Sequence, residues 1–217
     1  MRNVRATHQN FLNFLQSYHQ LVVPIYQRNY SWTEKHCRLL WDDICKIARK
    51  ERTSHFIGSI VFITPGEYLP AIINQSLLID GQQRITTIIL LLHAIGKILK
   101  EENIEFELTK EQIENLYIFN SQMTGNLRYK LLLSKKDKEI FLDILNERDV
   151  LEDEDNLSLL KRNYRYFLKK VFSYKENLKQ LFLGIQGLMI VSISLTREYD
   201  QPQLIFESLN LKFFLMY

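Results

Sequence analysis

Cysteine is scarce in this chain. Cys37 and Cys45 are the only two in 217 residues, eight apart on one predicted helix with no further Cys or His at ligand spacing. They support neither a disulfide framework nor a zinc site, and read as buried thiols. No apolar run is long enough to span a bilayer: Ile85 to Leu99 is interrupted by His93 and Lys97 and ended by Lys100-Glu101-Glu102. No long apolar segment follows Met1-Arg2-Asn3-Val4-Arg5, so a secretory signal is missing and the cytoplasm is the expected location. Charge of one sign is not in large excess. The net +3 argues against a dominant nonspecific DNA-binding surface and leaves a local patch open. Internal repeats and low-complexity tracts are also missing. What the chain does have is 46% hydrophobic and 12% aromatic residues, enough to bury a real core and to exclude wholesale disorder.

Against that background one stretch stands out, Leu77-Leu78-Ile79-Asp80-Gly81-Gln82-Gln83-Arg84-Ile85-Thr86-Thr87. Ser76 to Ile79 has the length and β-branched content of a buried strand, and Gly81 has the backbone freedom to reverse the chain at its end. A helix then starts near Gln82 and is apolar on nearly every side from Ile85 to Leu99, so it is a core helix whose N-terminus faces the turn. The unpaired N–H groups and positive dipole end of such a terminus attract phosphate, and Arg84 adds a bidentate fork. Asp80 would hold Mg2+ or orient water, because magnesium takes a few carboxylate oxygens together with its substrate's phosphate oxygens. A plainer reading stays open. Asp-Gly is a common turn pair, and Arg84 could cap the helix or form a salt bridge.

A second constellation is Val23-Pro24-Ile25-Tyr26-Gln27-Arg28-Asn29-Tyr30-Ser31-Trp32. Pro24 keeps the segment extended, and three aromatics crowd around Gln27 and Arg28, a grouping able to hold a base. The alternative is that Tyr26 and Trp32 merely pack, while Arg28 pairs with Asp42 or Asp43 on the next helix.

The expected fold class is α+β. Residues 1–108 mix strands (Gln20 to Gln27, Phe56 to Thr64, Ser76 to Ile79) with helices (Thr33 to Lys50, and the helix from Gln82), and Pro65-Gly66 reads as a turn. Residues 109–217 read as a mainly helical lobe. Lys110 to Phe119, Lys136 to Asn146 and Asn156 to Phe182 carry helical periodicity, Leu188 to Leu195 a returning strand, and Gln201 to Asn210 a final helix. The acidic stretch Glu147 to Asp155 reads as a solvated connection.

Together these motifs carry a resemblance. Pro24-x-Tyr26-Gln27-Arg28-x-Tyr30-x-Trp32, Phe56-Ile57-Gly58-Ser59-Ile60 and Ile79-Asp80-Gly81-Gln82-Gln83-Arg84-x-Thr86-Thr87 resemble, in order and spacing, the N-terminal domain of GmrSD-type, modification-dependent restriction enzymes. Leu131-x-Leu133-Ser134-x-x-Asp137, Asn163-Tyr164-x-Tyr166-Phe167 and Ile205-Phe206-Glu207-Ser208-Leu209-Asn210 are similar to later parts of the same family. The resemblance spans residues 10 to 210. It implies a core related to the ParB and sulfiredoxin fold, in which a strand-turn-helix bearing Gly-x-x-Arg, here Gly81 and Arg84, cradles phosphate. It also implies binding and hydrolysis of a nucleoside triphosphate with Mg2+, coupled to cleavage of phage DNA carrying modified bases. On that basis Asp80, Gln82, Gln83 and Arg84 form the expected hydrolysis site, with the Gln pair positioning the nucleophile. Tyr26, Gln27, Arg28, Gly81 and Thr87 are the expected nucleotide contacts.

Family members often carry a separate nuclease region with an HNH-like histidine motif. His8, His19, His36, His55 and His93 are scattered and form none, so a separate nuclease subunit or domain is the expected partner that cuts DNA. After Asn210 the resemblance calls for a small or polar residue, a glycine and further helices; Leu211 to Tyr217 is abruptly apolar instead, and the chain reads as truncated or split. Glu207 and Asn210, one helical turn apart, either face the nucleotide cleft or cap their helix. Finally, Lys161, Arg162, Arg165, Lys169 and Lys170 are interleaved with aromatics, a pattern shared by nucleic-acid or partner surfaces and by ordinary amphipathic helices.

Overall fold

The computed structural model describes residues 4–17, 20–64, 74–148 and 157–196. Six strands among them form one mixed sheet: β1 (Arg5–Asn10), β2 (Gln20–Val22), β3 (His55–Thr64), β4 (Gln75–Asp80), β5 (Leu131–Leu132) and β6 (Leu188–Thr196). Their spatial order is β1-β6-β3-β4-β2-β5. β1 pairs with β6 and β3 with β4 antiparallel, while β6 with β3, β4 with β2 and β2 with β5 run parallel. Seven α-helices among the described residues accompany the sheet: α1 (Phe11–Ser17), α2 (Glu34–Ala48), α3 (Gln82–Glu101), α4 (Lys110–Tyr117), α5 (Lys135–Leu145), α6 (Leu159–Ser173) and α7 (Leu178–Gln186). The α+β class expected from the sequence is the class observed.

α3 is the axis of the core. Ile85 and Ile88 to Leu92 are essentially without solvent exposure, and α4 and α6 pack on the helix. Its one histidine is accommodated by polar neighbours: His93 Nε2 lies 3.1 Å from the Ile144 carbonyl, Nδ1 3.3 Å from the Glu114 carboxylate, and the ring stacks on Tyr164. α2 starts at its Thr33 cap and buries Cys37, Leu40, Trp41, Ile44 and Cys45, an apolar stripe at helical spacing. Both thiols are free and buried. Lys130 is buried too. Its Nζ donates to Leu15 O at 3.1 Å and Leu116 O at 2.7 Å, the last-turn carbonyls of α1 and α4. Burial pushes this ammonium down to about 8.

β5 and β6 belong to the same sheet as the first four strands, with β6 inserted between β1 and β3, and residues from both sides of residue 108 share one core. Two sequence expectations change. The helix expected over Asn156 to Phe182 is broken by a 3-10 turn at Lys175–Asn177. α6 buries Leu160, Tyr164, Phe167 and Val171 with α3 as its main neighbour, and α7 buries Leu178, Leu181, Phe182 and Ile185 with α2 as its own. One straight helix could not follow both surfaces. The strand expected from Gln20 to Gln27 stops at Val22, and the Gln27 N–H turns back onto the Pro24 carbonyl at 3.1 Å. β1, α1 and β5 carried no sequence expectation. Pro65-Gly66, residues 149–155 of the acidic connection, and the Gln201 to Asn210 helix lie outside the described residues.

Candidate functional site

The site forms where β4 ends. Gly81, at φ +99°, turns the chain out of β4 and into α3, whose first backbone N–H groups have no partner within the helix. A Cβ at Gly81 would sit 3.0 Å from Ile60 Cγ1, so the turn also needs the missing side chain in order to lie against β3. In front of this terminus opens a cleft of about 620 Å³ lined by Tyr26, Gln27, Arg28, Trp32 and the run Ile79 to Arg84.

The Tyr26 to Trp32 loop forms the facing wall, and side chains from elsewhere hold its backbone. Gln27, buried, donates through Nε2 to Leu78 O and, at 2.9 Å, to Ile79 O. Gln82 donates to Arg28 O at 2.9 Å. The Gln83 carboxamide accepts from the Ser31 N–H at 2.8 Å and the Trp32 N–H at 3.2 Å, and donates to Asn29 O at 3.2 Å. Asp137, at the start of α5, accepts from the Tyr30 N–H at 2.6 Å, and burial raises its carboxyl above the ordinary aspartate value. Asn163 of α6 donates to Tyr30 OH at 2.9 Å and Trp32 O at 2.8 Å. The Tyr30 hydroxyl donates to Thr87 Oγ1 at 2.7 Å, and Thr87 donates in turn to Gln83 O. Desolvation raises the Tyr30 phenol, so it stays a neutral link in this chain.

Arg84 is held at the opposite wall. Its Nη1 donates to Ile57 O at 2.6 Å and its Nη2 to Asp80 Oδ2 at 3.2 Å. The guanidinium lies over Gly58, which sits at φ +106° within a register shift of β3. A Cβ there would stand 1.8 Å from Nη1. A β-bulge thus turns Ile57 O toward Arg84 and leaves room for the guanidinium, whose remaining N–H groups are available in the cleft. The Asp80 side chain is half exposed and that of Arg84 one-fifth exposed.

The structure therefore brings Tyr26, Gln27, Arg28, Asp80, Gly81, Gln82, Gln83 and Arg84 to one cleft, as the motifs suggested. Their roles are unequal. The three glutamines are engaged with backbone, whereas Arg28 is exposed and makes no ion pair among the described residues. Asp43, one of its two alternative partners, faces Lys46, Arg52 and His55. Thr87 needs correction as a nucleotide contact, because it is fully buried and its hydroxyl is engaged by Tyr30 and Gln83. Glu207 and Asn210 lie outside the described residues. The five α6 cations do not form one surface. Lys161 is buried and Lys170 reaches back over the Tyr166 ring at 5.8 Å, while Arg162 and Lys169, seven apart, remain exposed with Arg165 partly exposed between them. Gly58, Asp137 and Asn163 also serve the site: Gly58 leaves room for the Arg84 guanidinium, and Asp137 and Asn163 hold the loop. Their motifs carry no local signal for these roles, because each contact joins segments far apart in the chain.

Fold and site define an α+β domain with a cationic, aromatic-walled cleft at a buried helix's N-terminus. A family model described as the GmrSD restriction endonuclease, N-terminal domain, matches residues 11–212, and the chain belongs to that family. It is accordingly a restriction-system module. No curated protein matches it. Among the described residues no helix is long and apolar enough to cross a membrane.

Proposed function

We propose that this domain binds and hydrolyses a nucleoside triphosphate, with the cleft between the Tyr26 to Trp32 loop and the α3 N-terminus as the site. The observation that carries the reading is the convergence of Arg28, Asp80 and Arg84 on the unpaired N–H groups of that terminus. Arg84 takes phosphate oxygens with the N–H groups left free by Ile57 and Asp80, and Arg28 supplies a second, mobile cation. Charge developing on the transferred phosphoryl group then falls between two guanidiniums and a helix dipole.

Among the described residues no group of three or more His, Cys, Asp and Glu could hold a metal. Asp80, a lone half-exposed carboxylate in the cleft, suits a Mg2+ that arrives on the triphosphate and keeps several waters. Such an ion would neutralise phosphate charge when bound. Asp80 otherwise orients the attacking water. Gln82 and Gln83 act one step removed, as positioning residues that hold the loop carrying Arg28 and Trp32. DNA, modified phage DNA in the family, is the expected target of the wider system, and a separate nuclease subunit or domain is the partner that cuts it.

The test is phosphate release with each nucleoside triphosphate and Mg2+. Arg84→Ala and Asp80→Ala should each lower turnover by about 10²-fold or more while the far-UV spectrum is unchanged. A folded wild-type protein that neither binds nor turns over any nucleoside triphosphate would sink the proposal.

A further inference from the structure

Trp32, a large aromatic of the cleft, has its backbone held at both ends. Its N–H is bonded to Gln83 Oε1 from α3 at 3.2 Å, and its carbonyl to Asn163 Nδ2 from α6 at 2.8 Å. The ring is fixed as well. His36 stacks on it with centroids 5.5 Å apart and planes inclined by only 17°. His36 is in turn locked to the helix cap, its Nδ1 accepting from the Thr33 N–H at 3.2 Å. The indole is only partly buried, and it lines the cleft together with Asp80 to Arg84. A core residue does not need an exposed face, and a surface residue does not need this much support. A partly buried indole at the cleft wall, stacked on His36 and anchored through its backbone, is a stacking platform whose ordering cost is largely met before any ligand arrives.

Building on the nucleotide reading of the cleft, we infer that Trp32 is the platform for the nucleobase, held for that purpose by His36, Gln83 and Asn163. Phosphates go to Arg84 and Arg28 and the base goes to the indole, so the two ends of the ligand are recognised by different residues. A π-face is common to every base, so this platform distinguishes a nucleoside triphosphate from bare triphosphate without selecting among bases.

The experiment measures binding of the four nucleoside triphosphates and of inorganic triphosphate, each with Mg2+, to the full chain carrying Trp32→Leu, Trp32→Phe or Arg84→Ala. Trp32→Leu should weaken all four nucleotides by about 10-fold and leave inorganic triphosphate within about 2-fold, with Trp32→Phe recovering most of the loss. Arg84→Ala should weaken nucleotides and inorganic triphosphate together. The chain has two tryptophans, and Trp41 is buried. Nucleotides but not inorganic triphosphate should therefore quench the indole emission, and Trp32→Phe should abolish that quench. Unchanged nucleotide affinity in Trp32→Leu, or an equal loss for nucleotide and inorganic triphosphate, overturns the platform and leaves the nucleotide site standing. Failure of the wild type to bind either ligand overturns both.

Discussion

A methyl group at Gly58 would fall 1.8 Å from Arg84 Nη1, on a backbone at φ +106° that disfavours any side chain. Gly58→Ala is therefore expected to cost about 1–3 kcal/mol in chemical denaturation and, by displacing the guanidinium, to weaken triphosphate binding in the same assay. Gly125→Ala is the control. Its φ is also positive, but nothing lies within 4 Å of its Cβ, so strain should appear without the binding defect. Lys130 provides a pH prediction. Its folded value is about 8 and its unfolded value is near the ordinary lysine value of about 10.4. Between those limits the unfolded chain holds more protons, so stability conferred through this residue rises with pH from about 8 to about 10.4 and is flat below. The Leu15 and Leu116 carbonyls favour the ammonium and reduce the size of the effect. Denaturation of wild type against Lys130→Met across pH 7 to 10.5 should show a difference growing in favour of the wild type. The upward-shifted Cys37 and Tyr30 act in the opposite direction but are common to both proteins and cancel.

At the scale of elements, the Tyr26 to Trp32 loop contains no helix or strand and is ordered by five side chains: Gln27 of its own, Gln82 and Gln83 of α3, Asp137 of α5 and Asn163 of α6. Asn163→Ala leaves the buried Tyr30 hydroxyl and the part-buried Trp32 carbonyl without this donor and should cost about 1–3 kcal/mol. Hydrogen exchange should quicken at Tyr30, Ser31 and Trp32 while β3 and β6 keep their protection; equal quickening everywhere would mean a global effect instead. The motifs were legible as motifs because their residue types are unusual for their neighbours: Gln-Gln-Arg opening an apolar helix, and Gln-Arg among aromatics. Their division of labour was not legible. A glutamine bonded to a backbone carbonyl 54 residues away looks the same in sequence as one facing a ligand. Thr87 shows the limit clearly, since the motif's resemblance made it an expected nucleotide contact while packing turned it inward to Tyr30.

For the whole molecule, β6 lies between β1 and β3, so the last described strand completes a sheet begun by the first. Residues 1–108 alone would leave β1 with no partner strand and β3 without its parallel neighbour. That fragment is expected to be unfolded by circular dichroism. The full chain should unfold in one transition, with Trp fluorescence and far-UV signal coinciding. Two separated transitions would instead support a division near residue 108. Local order was determined by the sequence itself. Periodicity, caps and the Asp80-Gly81 turn act over a few residues, and they marked α2, α3, β3, β4 and the phosphate-friendly helix terminus. Tertiary structure decided which strands are neighbours, where the long helical stretch breaks, and which motif residues face the cleft. Those outcomes depend on contacts between residues far apart in the chain, such as Asn163 with Trp32 or Gly58 with Arg84, whose geometry no local pattern contains.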